Sequence, residues 1–125
     1  MRILINAAAQ ANVNLADVEK ELSYEVNGYA VGRLASICRE KGVRLVHIST
    51  DYVLDQPEAE LLTEEMPTNP RSEYAKSKLE GEFKILKNFP LATILRPSIV
   101  FSQDDNFTTT FMSLLSRLPI FPIYY

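Results

Sequence analysis

Three short apolar runs constrain this chain more than any other feature. They are ILINAAA at Ile3 to Ala9, VRLVHIST at Val43 to Thr50 and LATILRP at Leu91 to Pro97. Each is nearly continuous rather than alternating, the pattern of a strand covered on both faces. Between them, apolar residues recur at helical spacing. A first helix is expected from about Asp17 to Lys41, through Val18, Leu22, Val26, Ala30, Leu34, Ile37 and Cys38, with Gly42 as its C-terminal cap. A second is expected from Asn69, as N-cap, and Pro70, at the first helical position, to about Asn88. A third is expected from Asp104 to Leu118, stopped by Pro119. Strand, helix, strand, helix, strand, helix predicts an α/β domain: a parallel sheet of about three strands with helices on both faces.

Bulk properties exclude several classes. A length of 125 residues favours one domain. A formal net charge of -3 and the lack of a long basic run argue against nucleic acid as a partner. No apolar stretch is long enough to cross a bilayer, so no membrane partner is expected. MRILINAAAQ lacks the layout of a secretory signal. The single cysteine, Cys38, has no partner for an internal disulfide, and a cytoplasmic setting is expected. One His and one Cys do not make a metal site. His47 and Cys38 read as packed core residues. Glu58, Glu60, Glu64 and Glu65 read as a solvated loop, and Arg96 as a cap or bridge near the sheet end.

In parallel sheets, ligands sit beyond the carboxyl ends of the strands. Here those ends, Asn6 to Ala9, Ser49 to Asp51 and Arg96 to Ser98, are small or polar where the strand bodies are apolar. Tyr74 and Lys78 stand at i and i+4, on one face of the second helix. A nearby ammonium favours the charged phenolate, so a lowered Tyr74 pKa is expected, with Tyr74 as proton donor or acceptor. The lysine's three donors also suit sugar hydroxyls. The Thr50 hydroxyl could hold a carbonyl oxygen in line with Tyr74. Tyr-x-x-x-Lys alone is common on plain helix surfaces; a strand ending Ser-Thr-Asp before a long loop and that helix is the more telling context.

HISTDYVLD, NPRSEYAKSKLEGE and ATILRPSIVF together resemble the extended short-chain dehydrogenase/reductases, and within them the dTDP-4-dehydrorhamnose reductase branch. The resemblance runs from about Ile3 to Phe101. It implies a partial Rossmann-like, doubly wound sheet and NAD(P)-dependent reduction of a 4-keto sugar nucleotide. It implies Thr50, Tyr74 and Lys78 as the catalytic set. Tyr74 and Lys78 would also touch the cofactor, NADP or NAD. Ala7 and Ala8 would line its ribose and pyrophosphate, Asn27 would sit near the site, and Pro97 and Ser98 would lie by the nicotinamide. Asp51, Tyr52 and Val53 would open the substrate loop.

The chain departs from that pattern in three ways. The glycine-rich phosphate turn is missing: Gly28, Gly32, Gly42 and Gly81 are the four glycines, and none forms it. Either the start is truncated or an internal segment has been lost. The C-terminal substrate region is also absent. Gln56 and Ser102 stand where the family has glycine. The expectation is therefore a partial dinucleotide-binding domain. Its first strand would have a free edge, so self-association into a homodimer is the corresponding expectation. Two alternatives stay open: a non-catalytic dinucleotide-binding subunit, resembling the regulatory partner of methionine adenosyltransferase or complex I accessory subunits, and an inactive fragment.

Overall fold

The computed structural model describes residues 2–56, 59 and 61–100. Three strands, β1 (Arg2–Asn6), β2 (Val43–Ile48) and β3 (Thr93–Leu95), lie side by side in that order. Both pairings are parallel. Arg2 lies opposite Val43 and Asn6 opposite His47; Val46 lies opposite Thr93 and Ile48 opposite Leu95. This is the expected Rossmann-like α/β arrangement. Each strand stops short of the end of its apolar run, which leaves the small and polar tips as irregular backbone.

Side chains alternate across the sheet. Leu4, Leu45 and Ile94 share a core with Val31, Ala35, Cys38 and Ile85 from the helices. The other face carries Ile3 and Ile5, which are 54% and 67% exposed. Helices on both faces were expected. Among the described residues they pack against one, because nothing described here lies over Ile3 and Ile5.

The single helix expected from Asp17 to Lys41 is a composite. It comprises α1 (Val13–Val18), α2 (Lys20–Tyr24), a π-helical turn (Glu25–Tyr29) and α3 (Ala30–Glu40). Asn12 caps its start by accepting a bond from the Leu15 amide at 3.0 Å. The break at Glu19 and the wide π turn rotate its inward face. Val18, expected inside, is 81% exposed; Leu22 and Ile37 are exposed too. The buried line instead runs through Ala16, Ser23, Asn27, Val31, Ala35 and Cys38. Small and polar residues occupy it because a second helix comes very close. A Cβ built on Gly81 of that helix would lie 2.2 Å from the Asn27 carbonyl oxygen. At the far end Gly42 takes φ 60, the left-handed conformation expected of a C-terminal cap.

That second helix is α4 (Glu73–Asn88). It starts later than expected. Ser72, not Asn69, is the N-cap, accepting from the Ala75 amide at 3.1 Å. Asn69 is engaged elsewhere: its backbone amide bonds Val53 and its side chain donates to the Asp55 carbonyl, closing the loop before the helix. Val53, Leu54 and Leu79, with Met66 against them, form a second small core under this loop. Glu64 and Glu65 are exposed, as expected of a solvated loop. Glu58, Glu60, Ser102 and the helix expected over Asp104 to Leu118 lie outside the described residues. Among the described residues no helix is long and apolar enough to cross a membrane.

Candidate active site

The tips of β2 and β3 stay joined beyond the strands. The Ser49 amide donates to the Leu95 carbonyl at 2.7 Å, and the Asp51 amide to the Pro97 carbonyl at 3.2 Å. This fixes Thr50 beside Pro97. Thr50 Oγ1 accepts from the Tyr52 amide at 3.3 Å and caps a short 3₁₀ turn, Asp51–Val53. The first turn of α4 brings Tyr74 to the same place. Its side chain lines the same cleft as Thr50, whose hydroxyl donates to Asp51 Oδ1 at 3.5 Å, and its ring meets Tyr52 edge-on at 6.4 Å. Thr50, Asp51, Tyr52, Tyr74, Pro97 and Ser98 line a cleft of about 260 Å³. Six of the residues expected at the site therefore converge.

The electrostatics differ from expectation. Burial raises the Tyr74 pKa; the Thr50 hydroxyl pulls the other way, and Tyr52 and Asp51 add to the rise. The expected lowering by Lys78 is not found, and the geometry gives the reason. Lys78 is 2% exposed, and its Nζ donates to the Ile48 carbonyl at 2.6 Å. Spacing put the two residues on one helix face, but the ammonium turns to the strand backbone. Burial brings Lys78 down to about 8, with Glu82 opposing the fall.

Other expected residues play different parts. Val53 is fully buried, so of the substrate-loop residues only Asp51 and Tyr52 reach open space. Those two also border a cleft of about 420 Å³ with Asp55, Gln56 and Arg71. Asn27 is fully buried and is not open to a cofactor. Its Oδ1 accepts from the Gln10 amide at 2.9 Å; its Nδ2 donates to the Gln10 carbonyl and to Ser77 Oγ, both at 3.0 Å. Ser77 in turn donates to the Tyr74 carbonyl at 2.8 Å. Asn27 thus ties the loop after β1 to the first turn of α4. Ala7 and Ala8 are exposed at the β1 tip, while Ala11 from the same loop and Val13 at the start of α1 reach the cleft.

His47 is buried, as expected. Asn6 Nδ2 donates to its Nδ1 at 3.1 Å, which leaves the ring proton on Nε2. Burial, with a smaller push from Lys78, lowers His47 to about 4. Arg96 does bridge near the sheet end, but to a partner the sequence reading passed over. Glu82, 1% exposed, holds Arg96 Nη2 at 2.6 Å and Nε at 3.1 Å, and accepts a short bond from Ser49 Oγ. The available signal was its position four residues beyond Lys78 and eight beyond Tyr74, on the same helix face.

A family model described as the RmlD substrate binding domain matches residues 1–120. The chain belongs to this family. Among RmlD-family relatives, a dTDP-4-dehydrorhamnose reductase of Mycobacterium tuberculosis is 38% identical over 122 residues, 93% of this chain and 39% of that protein. The crystal structure of a dTDP-4-dehydrorhamnose reductase from Clostridium acetobutylicum superposes with a TM-score of 0.83 at 34% identity, covering 90% of this chain and 40% of that one. The Bacillus anthracis enzyme, in complex with NADP, gives 0.81 at 30% identity, covering 94% and 42%. The chain thus spans about two fifths of the length of these relatives.

Proposed function

We propose that this chain carries the proton-donating half of an NAD(P)-dependent reductase acting on a 4-keto sugar nucleotide. The observation that carries it is the Thr50–Tyr74 hydroxyl pair on the wall of a cleft at the strand tips. Relatives named as dTDP-4-dehydrorhamnose reductases, one of them in complex with NADP, support the substrate and cofactor classes. The residues present fit the nicotinamide end of such a cofactor. Pro97 and Ser98 offer a compact wall and would flank the nicotinamide. Lys78, 2% exposed and bonded to the Ile48 carbonyl, would have to turn from that carbonyl to bond the ribose hydroxyls with its three donors. When bound, the cofactor supplies the hydride to the carbonyl carbon.

The chain's own residues handle the proton. Thr50 Oγ1 and the Tyr74 hydroxyl would both donate to the carbonyl oxygen and polarise it. As charge develops on that oxygen, Tyr74 transfers its proton and the carbonyl becomes an alcohol. The raised Tyr74 pKa keeps the phenol protonated at neutral pH, the form a donor needs. Tyr52 and Asp51 would border the sugar. A second reading, binding without turnover, draws on one observation: Lys78 is turned to Ile48 and gives Tyr74 no help in losing its proton.

The test is to mix the full-length protein with a dTDP-4-keto-6-deoxy sugar and NADPH or NADH, and to identify the product by mass spectrometry. A product heavier by two hydrogens, formed with oxidation of the nicotinamide, is expected. Cofactor binding with no product under any such pairing would favour the second reading.

A further inference from the structure

Glu82 is a carboxylate at a depth where an apolar side chain would cost less. Its partners explain what the charge accomplishes. One oxygen accepts from Ser49, the residue before Thr50. Both oxygens hold Arg96, the residue before Pro97 and Ser98, Oε1 through Nε and Oε2 through Nε and Nη2. The carboxylate therefore grips both strand tips that form the cleft, from the helix that carries Tyr74. Arg96 extends the grip by donating to the Glu64 carbonyl at 3.4 Å. Tyr74, Lys78 and Glu82 occupy three successive turns of one helix face, so the grip sits below the hydroxyl pair.

We propose that Glu82 is a positioning residue that, through Ser49 and Arg96, holds Thr50 and Pro97–Ser98 at working distance from Tyr74. This rests on the reductase function proposed above. A buried pair of this kind adds little net stability against an apolar substitute; on this proposal its part is to hold its neighbours in one arrangement. A hydrophobic residue at position 82 would fill the space without fixing the direction of either tip.

The test uses the full-length protein with Glu82→Gln, Arg96→Gln and the double variant. Glu82→Gln keeps the shape and a hydrogen bond to Ser49 but removes the charge that binds Arg96. For variants whose thermal melt shows a folded protein, kcat should fall about tenfold or more while KM for the reduced nicotinamide changes by less than about threefold. The double variant should be no worse than the more damaged single one, since both act through one grip. Should both charge variants fail to fold, Ser49→Ala removes only one of the carboxylate's bonds, and a fall in kcat of about threefold is expected.

A readout independent of turnover separates this proposal from the function it rests on. With tyrosine labelled at Cζ, the Tyr74 carbon resonance should move in Glu82→Gln, because the placement of Thr50 across the cleft from the phenol is disturbed. An unmoved resonance, or a kcat within about twofold of the parent in a folded Glu82→Gln, would overturn the positioning role. A moved resonance in a protein that reduces no 4-keto sugar nucleotide would uphold the grip and reject the substrate.

Discussion

Burial holds the Tyr74 phenol above its ordinary pKa, and the Thr50 hydroxyl is the group that opposes it. Both residues were legible in the sequence, because the carboxyl end of a strand and the start of the helix that follows it lie at the same edge of a parallel sheet, where ligands sit. The aim of Lys78 was not legible. Spacing fixes the face of a helix, whereas the tip of a four-carbon side chain can reach several acceptors, here the Ile48 carbonyl. His47 makes a prediction of its own. Its pKa is about 4 in the folded chain and near 6.5 when exposed, so between these values the unfolded state binds more protons. Stability contributed by the neutral ring is complete above the higher value and lost as pH falls toward the lower. At about 1.4 kcal/mol per pKa unit the loss is about 3 kcal/mol. Thermal melts from about pH 7 to about pH 4 should show a falling Tm, with a flatter slope in His47→Asn. An equal slope in the variant would assign the acid sensitivity elsewhere.

At the scale of elements, the contact between the π turn and α4 sets the height of the site. Asn27 bridges the loop after β1 to Ser77, and Gly81 lets the two helices approach closely enough for it. A periodicity count could not find this contact. The inward line passes through Ser23 and Asn27, and an apolar pattern is blind to polar residues that bury in satisfied or tightly packed sites. The late start of α4 was hidden for a related reason. Asn69 and Ser72 are both good N-caps, and the choice depended on which of them the Asp51–Val53 turn had already engaged. Gly81→Ala should destabilise the fold by about 2 kcal/mol or more, since its Cβ meets backbone that has nowhere to move. Urea unfolding measures it; a change below about 0.5 kcal/mol would show that the helices separate without penalty.

On the scale of the whole molecule, the described residues form one helix-covered face of a three-stranded sheet whose other face shows Ile3 and Ile5 to solvent. The parallel order was legible from the alternation of runs and helices. That the described residues cover only one face was not, because a strand's own sequence states that it wants burial and not what supplies it. Gly28, Gly32 and Gly81 lie within helices and Gly42 caps one, so none of them makes a phosphate turn; on the function proposed above, the contacts named for a dinucleotide are those at its nicotinamide end. Titrating NADPH into the isolated 125-residue chain should therefore show binding no tighter than millimolar by calorimetry; a micromolar constant would reveal a phosphate site of another kind. The central claim, that the phenol at the strand tips delivers the proton, is tested most directly by Tyr74→Phe in the full-length protein. Turnover of the 4-keto sugar nucleotide should fall by about a hundredfold or more while NADPH still binds with nearly the parent constant. Turnover unchanged in that variant would contradict the account.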